Sequence, residues 1–368
     1  MSIQSKAVIC RELNAPVVVE TISVDKPQAG EVLVEMKACG VCHSDLSATN
    51  GTIGFPLPLI LGHEGAGVVA EVGEGVTGLA PGDHVLTSFV SMCGRCRFCQ
   101  TGRPQLCDQG AKTLVTLPGG AQRTRDAAGT PLNIFSGCGS MSQFQTLHQD
   151  NLVKIDPDVP LDRAALIGCG VMTGFGAAAN TARVEAGSRT VVFGAGGVGL
   201  SAIQGCAVCG ASQVVAVDTS AAKLEFARQM GATHTVDASQ EENVVKALRK
   251  LTDGGADYAF ECVGHGEIAE QAYGSLAKGG TAVIVGVAPM SHKTSVRTAQ
   301  LTFEEKTLTG SYFGSARPRQ DFPRLISLYK GGRLKLDELV TRTYSIDEAP
   351  QAFEDLEKGR NARGVIVF

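Results

Sequence analysis

The run Gly194-Ala195-Gly196-Gly197-Val198-Gly199 constrains this chain more than any other stretch. It follows a strand-like segment, Thr190-Val191-Val192-Phe193, and opens a helical pattern near 197–209 that Gly210 is suited to stop. A second apolar run, Gln213-Val214-Val215-Ala216-Val217, ends at Asp218, 19 residues past Gly199. Strand, glycine turn, helix, strand and acid in this order are what a dinucleotide pyrophosphate needs. Gly194 permits the tight turn, Gly196 lets backbone approach the phosphates, and Gly199 lets the helix pack on the strand. Gly197 and Val198 begin that helix, whose free N–H groups and positive dipole end favour an anion. Asp218 is expected to accept hydrogen bonds from ribose hydroxyls and to repel a 2′-phosphate, which favours NAD over NADP. Lys223 can reach the same ribose. The bland alternative is an ordinary turn in a similar fold that binds something else.

The pattern continues with a helix at Lys223–Met230, stopped by Gly231, and with strands at Ala256–Ala259 and Thr281–Val285. Strands alternating with helices predict a parallel sheet with crossovers. The amino-terminal part reads differently. Val17–Glu20, Glu31–Glu35 and Gly67–Val72 are short strand-like runs between turn residues, Pro81-Gly82-Asp83 among them. A chain of 368 residues suits two domains. The expected division is a β-rich catalytic domain over 1–170, a nucleotide domain over 171–315, and a segment over 316–368. Helical patterns at Phe322–Tyr329 and Asp347–Glu357 precede a closing strand, Gly364–Phe368, placed to return to the first domain.

Twelve cysteines and no signal-peptide pattern argue against disulfides. Four of them form Cys93-x-x-Cys96-x-x-Cys99-x7-Cys107, a spacing that lets four thiolates enclose one zinc with no open position. Buried cysteines or an iron–sulfur site are the alternatives. Arg95, Arg97 and Arg103 can help keep the thiols ionised. Three separate pieces offer further ligands: Cys42 in Gly-Val-Cys-His-Ser-Asp, His63 in Gly-His-Glu and Cys169 in Gly-Cys-Gly. Two thiolates and an imidazole leave a fourth position for water or an alcohol oxygen, the open arrangement of a catalytic zinc. Cys39-x-x-Cys42 also has redox spacing, with Cys39 read as a core residue.

The net charge of −4 lacks any basic block, which excludes an evident nucleic-acid surface. Apolar runs are short and broken by glycine, so no membrane span and a cytoplasmic location are expected.

Together these motifs, in this order and spacing, resemble the zinc-containing medium-chain alcohol dehydrogenases, liver-type-like and dimeric, over essentially the whole chain. The resemblance implies an α/β fold: a Rossmann doubly wound parallel sheet that binds the cofactor, plus a β-rich GroES-like catalytic domain. It implies NAD and two zinc ions per chain. Cys42, His63 and Cys169 then look like the catalytic zinc ligands, and Cys93, Cys96, Cys99 and Cys107 like the structural ones. Ser44 resembles the hydroxyl that takes the alcohol proton, Asp45 the carboxylate that orients His63, and Glu64 the acid near the metal. His43 and Arg363 match positions that contact the pyrophosphate; Thr173, Val198 and Val287 match positions near the nicotinamide. One departure stands out: a histidine that relays the proton in liver-type members is Ser47 here. The reaction implied is reversible oxidation of a primary, aromatic or allylic alcohol to the aldehyde. Thiol-dependent formaldehyde oxidation and a non-catalytic NAD- and zinc-binding role are the alternatives. Phe89, residues near Leu114–Leu117 and Val287–Ala288 are expected to line the substrate pocket. The insertion Gln109–Phe135 resembles that of dimeric members and points to a homodimer.

Overall fold

The computed structural model describes residues 2–368, in two units. One runs to Cys169 and takes in Arg317–Gly331 and Leu336–Phe368; the other comprises Gly170–Ala316 and Gly332–Lys335.

The first unit is built on the long strand Glu31–Val41, nine of whose eleven residues are buried. One edge of it pairs antiparallel with Glu64–Val72, bringing Gly40 opposite Glu64. Its other edge is divided between two partners. Phe144–His148 pairs with Glu31–Glu35, and the closing strand Arg363–Val367 pairs with Ala38–Val41. The chain's last strand is thereby a structural member of the first unit, laid beside the segment that carries Cys42. Beyond it lies Val340–Ser345, and at the opposite end His84–Thr87 and Leu152–Ile155 complete the sheet. A second sheet of five strands is centred on Ile3–Cys10. Two short strands of the insertion, Thr124–Arg125 and Asn133–Ile134, form its edges, so the insertion is stitched into this sheet at both ends.

The second unit is a six-stranded sheet in which every pairing is parallel. Its order is His234–Asp237, Gln213–Asp218, Arg189–Phe193, Ala256–Glu261, Leu276–Ile284, Thr307–Gly310. This is the doubly wound order 3-2-1-4-5-6. Its central strands are covered on both faces, which is why Val191–Phe193 and Val214–Val217 are uninterrupted apolar runs with no polar alternation. Truncating buried Phe193 to alanine would cost about 3–5 kcal/mol.

The expected helix after the fingerprint spans Gly197–Val208, with Gly210 at φ +89° just beyond its cap. The next helix starts at Ala221, two residues before the expected Lys223, because Ser220 caps it through the Lys223 N–H. The strand expected to end at Ala259 continues to Glu261. Among the described residues no single helix is long and apolar enough to cross a membrane.

Candidate active site

Cys42, His63, Glu64 and Cys169 converge in the first unit. One ligand atom from each lies within 4.8 Å of all the others, and all four residues are buried. Each arrives on a different element. Cys42 caps the helix His43–Thr49. His63 sits just before the strand Glu64–Val72. Cys169 ends the tight turn Ala165–Gly168. The local sequence is shaped to this convergence. Gly62 lies at φ +94°, and a Cβ there would stand 2.3 Å from the backbone nitrogen of Met141. Thr87 Oγ1 accepts from the Gly65 N–H at 2.8 Å and donates to the His63 carbonyl at 3.1 Å, clamping the backbone around the histidine.

Asp45 organises the ligands without being one of them. It is fully buried, and its carboxylate accepts from the Gly62 N–H at 2.9 Å and the Cys42 N–H at 3.2 Å. Its Oδ1 also lies 3.3 Å from His63 Nδ1. A carboxylate only accepts, so this contact assigns a ring proton to Nδ1 and leaves Nε2 as the nitrogen available to a metal. That Nε2 atom is buried and has no hydrogen-bond partner among the described residues. Leaving such a buried polar atom unmet costs about 1–3 kcal/mol.

The titrating groups push one another apart. The contact with Cys169 holds Cys42 well below the usual thiol range, against the effect of burial, with His63 adding to the lowering. The same contact, together with burial, drives Cys169 well above it. Burial opposes protonation of His63, but Asp45 and Cys42 outweigh it and raise its pKa well above the ordinary value. Three ligand residues this close, one ring nitrogen unmet and two thiols competing for a proton, are a donor set that a dication would satisfy. Soft thiolates with imidazole are the chemistry of zinc.

Glu64 has a second attachment. Arg363, on the closing strand, donates to Glu64 Oε2 and, at 3.5 Å, to the Val41 carbonyl. Both side chains are buried. A Cβ at Gly40 would stand 2.1 Å from that same Oε2, so glycine is required for the pair to form. Arg363, read from the sequence as a phosphate contact, is thus placed against the acid beside the ligand cluster. Ser44 Oγ lies 3.8 Å from Cys42 Sγ. Ser47 is three residues along the same helix and so shares its face. His43 is solvent-exposed at the start of that helix.

Aromatic rings flank the histidine. Phe89 and Phe135 each meet His63 edge-on, at centroid distances of 5.8 and 5.0 Å, and Phe55 meets Phe135 at 4.9 Å. Phe89 was legible in the sequence. Phe135 and Phe55 were not, since no local motif surrounds them.

Cys93, Cys96, Cys99 and Cys107 form the second cluster, again with sulfurs within 4.8 Å of one another. Backbone N–H groups point at the sulfurs: Cys93 N to Cys107 Sγ at 3.5 Å, Cys96 N to Cys93 Sγ at 3.3 Å, Cys99 N to Cys96 Sγ at 3.5 Å. Such donors favour thiolates; the backbone of Cys99, then of Asp108, lowers Cys96 to about 6. Burial raises Cys99 and Cys107 instead. Cys39 is buried elsewhere, 3.2 Å from Ser140 Oγ.

In the second unit, a Cβ on Gly199 would stand 1.7 Å from the Gly194 carbonyl oxygen, whereas one on Gly196 would meet nothing within 4 Å. Internal packing thus explains Gly199 but not Gly196, which leaves backbone open to a ligand at the helix N-terminus. Asp218 accepts from the Ala195 N–H at 2.8 Å and the Ser220 N–H at 3.0 Å, which bind the acid to the fingerprint turn. Gly194, Gly196, Gly197, Val198, Gly199 and Asp218 therefore come together. Lys223 is exposed on the following helix, Thr173 is buried in the helix Gly170–Gly176, and Val287 is 68% exposed.

Residues 28–157 match the family model described as alcohol dehydrogenase GroES-like domain, and residues 197–331 match that of zinc-binding dehydrogenase. The chain is 42% identical to the NDMA-dependent alcohol dehydrogenase of Amycolatopsis methanolica, with 99% of each chain covered. It is 37% identical to the S-(hydroxymethyl)glutathione dehydrogenase of Paracoccus denitrificans, covering 99% of this chain and 100% of the relative. The crystal structure of benzyl alcohol dehydrogenase from Acinetobacter calcoaceticus superposes with a TM-score of 0.94 at 34% identity, covering 100% of this chain and 99% of that one.

Proposed function

Because the chain belongs to the zinc-containing medium-chain alcohol dehydrogenase family, and is an oxidoreductase of that type, we propose that it interconverts a primary aromatic or allylic alcohol and its aldehyde, with NAD as hydride carrier. Cys42, His63 and Cys169 would hold a catalytic zinc, and Cys93, Cys96, Cys99 and Cys107 a structural one. The observation that carries the reading is the buried, unpartnered Nε2 of His63 amid two thiols whose proton affinities are driven apart. When bound, zinc supplies Lewis acidity that lowers the pKa of a substrate hydroxyl, and NAD supplies the hydride acceptor.

The protein's own residues perform the remaining work. Asp45 fixes the His63 tautomer and the orientation of its ring. Ser44 Oγ, beside Cys42, accepts the proton leaving the substrate hydroxyl as it donates its own hydroxyl proton onward. Ser47, on the same helix face, is next in line outward. Arg363 holds the Glu64 carboxylate by a buried hydrogen-bonded ion pair beside the cluster. Phe89, edge-on to His63 and only half-buried, offers a face against which a planar substrate packs. This favours benzyl- and cinnamyl-type alcohols over short aliphatic ones.

NAD preference rests on Asp218. In Asp218→Asn one acceptor survives, but the charge that repels a 2′-phosphate is gone. We expect kcat/KM with NAD to fall about 10–100-fold, the loss of a charge-assisted hydrogen bond, and the NAD/NADP ratio to fall with it. An unchanged ratio in steady-state kinetics with both cofactors would remove Asp218 from this role.

A homodimer is proposed on one feature of the second unit. Thr307–Gly310 ends its sheet, pairing among the described residues only with Leu276–Ile284, and Phe303 and Met290, earlier in the chain, are strongly exposed. An open edge with apolar neighbours is a surface that a second copy can cover.

A further inference from the structure

The strand Ala256–Glu261 ends on a carboxylate with no access to solvent: Glu261 is 0% exposed. Its Oε1 accepts from three successive backbone N–H groups, those of Val263 at 2.8 Å, Gly264 at 2.6 Å and His265 at 3.4 Å. Oε2 is buried and has no hydrogen-bond partner among the described residues. Burying a carboxylate away from water is strongly unfavourable unless fixed dipoles replace the water. Here they come from the turn itself and from the N-terminus of the helix Gly266–Gly274, capped at His265. The acid and the turn are mutually dependent.

That turn is wedged between two parts of the dinucleotide site. Gly264 lies at φ +89°, and a Cβ on it would stand 2.6 Å from the carbonyl oxygen of Val287. A Cβ on Gly286 would stand 2.2 Å from the Gly264 nitrogen. On the other side, a Cβ on Gly194 would stand 2.8 Å from Val263 Cγ2 and 3.5 Å from the Cys262 carbonyl. Cys262 N also donates to the Phe193 carbonyl at 2.9 Å, at the last residue before the fingerprint. Backbone faces backbone at Gly264, Gly286 and Cys262, and the Val263 side chain at Gly194, so a shift of the turn must move Gly194, Val287 or both.

We infer that Glu261 is a positioning residue for the cofactor: through the turn 262–265 it sets the spacing between the fingerprint and Val287, on the nicotinamide side. It touches no ligand itself. The inference rests on the NAD-binding reading above. It explains why a charge is kept where an apolar residue would bury more easily, and why Gly264 and Gly286 are needed outside the fingerprint.

Two variants test it on the full-length protein. Glu261→Gln preserves shape but trades charge-assisted acceptance for neutral, and places amide donors where Oε2 has no acceptor. Gly264→Ala attacks the same turn from the Val287 side. Dissociation constants for NAD and for AMP would be measured by calorimetry, after circular dichroism shows each variant folded. AMP engages only the adenosine end, near Asp218. We expect both variants to weaken NAD at least ~10-fold, a shift within reach of lost charged hydrogen bonds, and to leave AMP within about twofold. Unchanged NAD affinity in either folded variant would overturn the role. Equal losses of NAD and AMP would overturn it too, since they mark general damage to the unit. If Glu261→Gln fails to fold, Gly264→Ala decides alone. A wild-type protein that binds AMP but not NAD would sink the cofactor reading itself, and the positioning role with it.

Discussion

Cys42→Ala is expected to abolish turnover, by at least ~10³-fold, while the protein stays folded. Lewis-acid stabilisation of developing negative charge supplies several kcal/mol, and each 1.4 kcal/mol is tenfold in rate. Removing one of three protein ligands forfeits most of it. The residue lies at a helix cap, and its helix keeps the Asp45 capping interactions, so the stability loss should be small beside the activity loss. Zinc analysis should show one equivalent fewer per chain, and circular dichroism an unchanged spectrum. Asp45→Asn should behave as a weaker version, lowering zinc affinity about 10–100-fold through loss of the histidine's orientation. A Cys42→Ala protein that keeps both activity and zinc would place the metal elsewhere.

The second large effect is on stability. The stretch from Cys93 to Cys107 holds only a four-residue helix, Arg97–Gln100, and a single 3-10 turn, and Cys93, Cys96 and Cys99 are only half-buried. With so little apolar burial, four thiolates around one metal must supply the ordering energy that packing does not. Cys99→Ser is expected to remove one zinc and to lower the melting midpoint by roughly 10 °C, the size expected for a loss of several kcal/mol in a unit this large. Turnover below that midpoint should survive. Differential scanning calorimetry with zinc analysis checks this; loss of the zinc with no change in midpoint would deny the cluster a structural role.

These two sites differ in how openly the sequence displays them. The four-cysteine cluster is local, with all ligands inside one loop, and its spacing alone implies a closed tetrahedral site. The fingerprint is equally local, and the structure adds a reason for two of its glycines: packing at Gly199, open backbone at Gly196. Cys42, His63 and Cys169 are far apart in the chain and become a site only through the pairing of Glu31–Val41 with Glu64–Val72 and the turn before Cys169. Resemblance supplied that convergence; no spacing rule could. The Glu64–Arg363 pair spans 299 positions and depends on where the closing strand docks, so nothing local in the sequence pointed to it. Glu261 carries no sequence signal, because its partners are backbone N–H groups of the residues after it. A charged residue at a strand end usually marks exposure, and here the following turn folds over it. Phe135 reaches His63 from the last residue of the insertion, far from His63 in the chain and with no motif around it.

We propose that the buried donors Cys42, His63 and Cys169 make a zinc-dependent alcohol oxidation centre linked to NAD. The most direct test is NADH absorbance with purified protein, NAD and a panel of ethanol, hexanol, benzyl alcohol, cinnamyl alcohol, and formaldehyde with a thiol. Each is run with and without a strong chelator, with zinc counted before and after. We expect about two zinc per chain, fastest turnover with benzyl or cinnamyl alcohol, and its loss when the catalytic zinc is removed. Undiminished turnover in protein stripped of zinc, or no NADH from any alcohol in protein that holds both zinc and NAD, would contradict it.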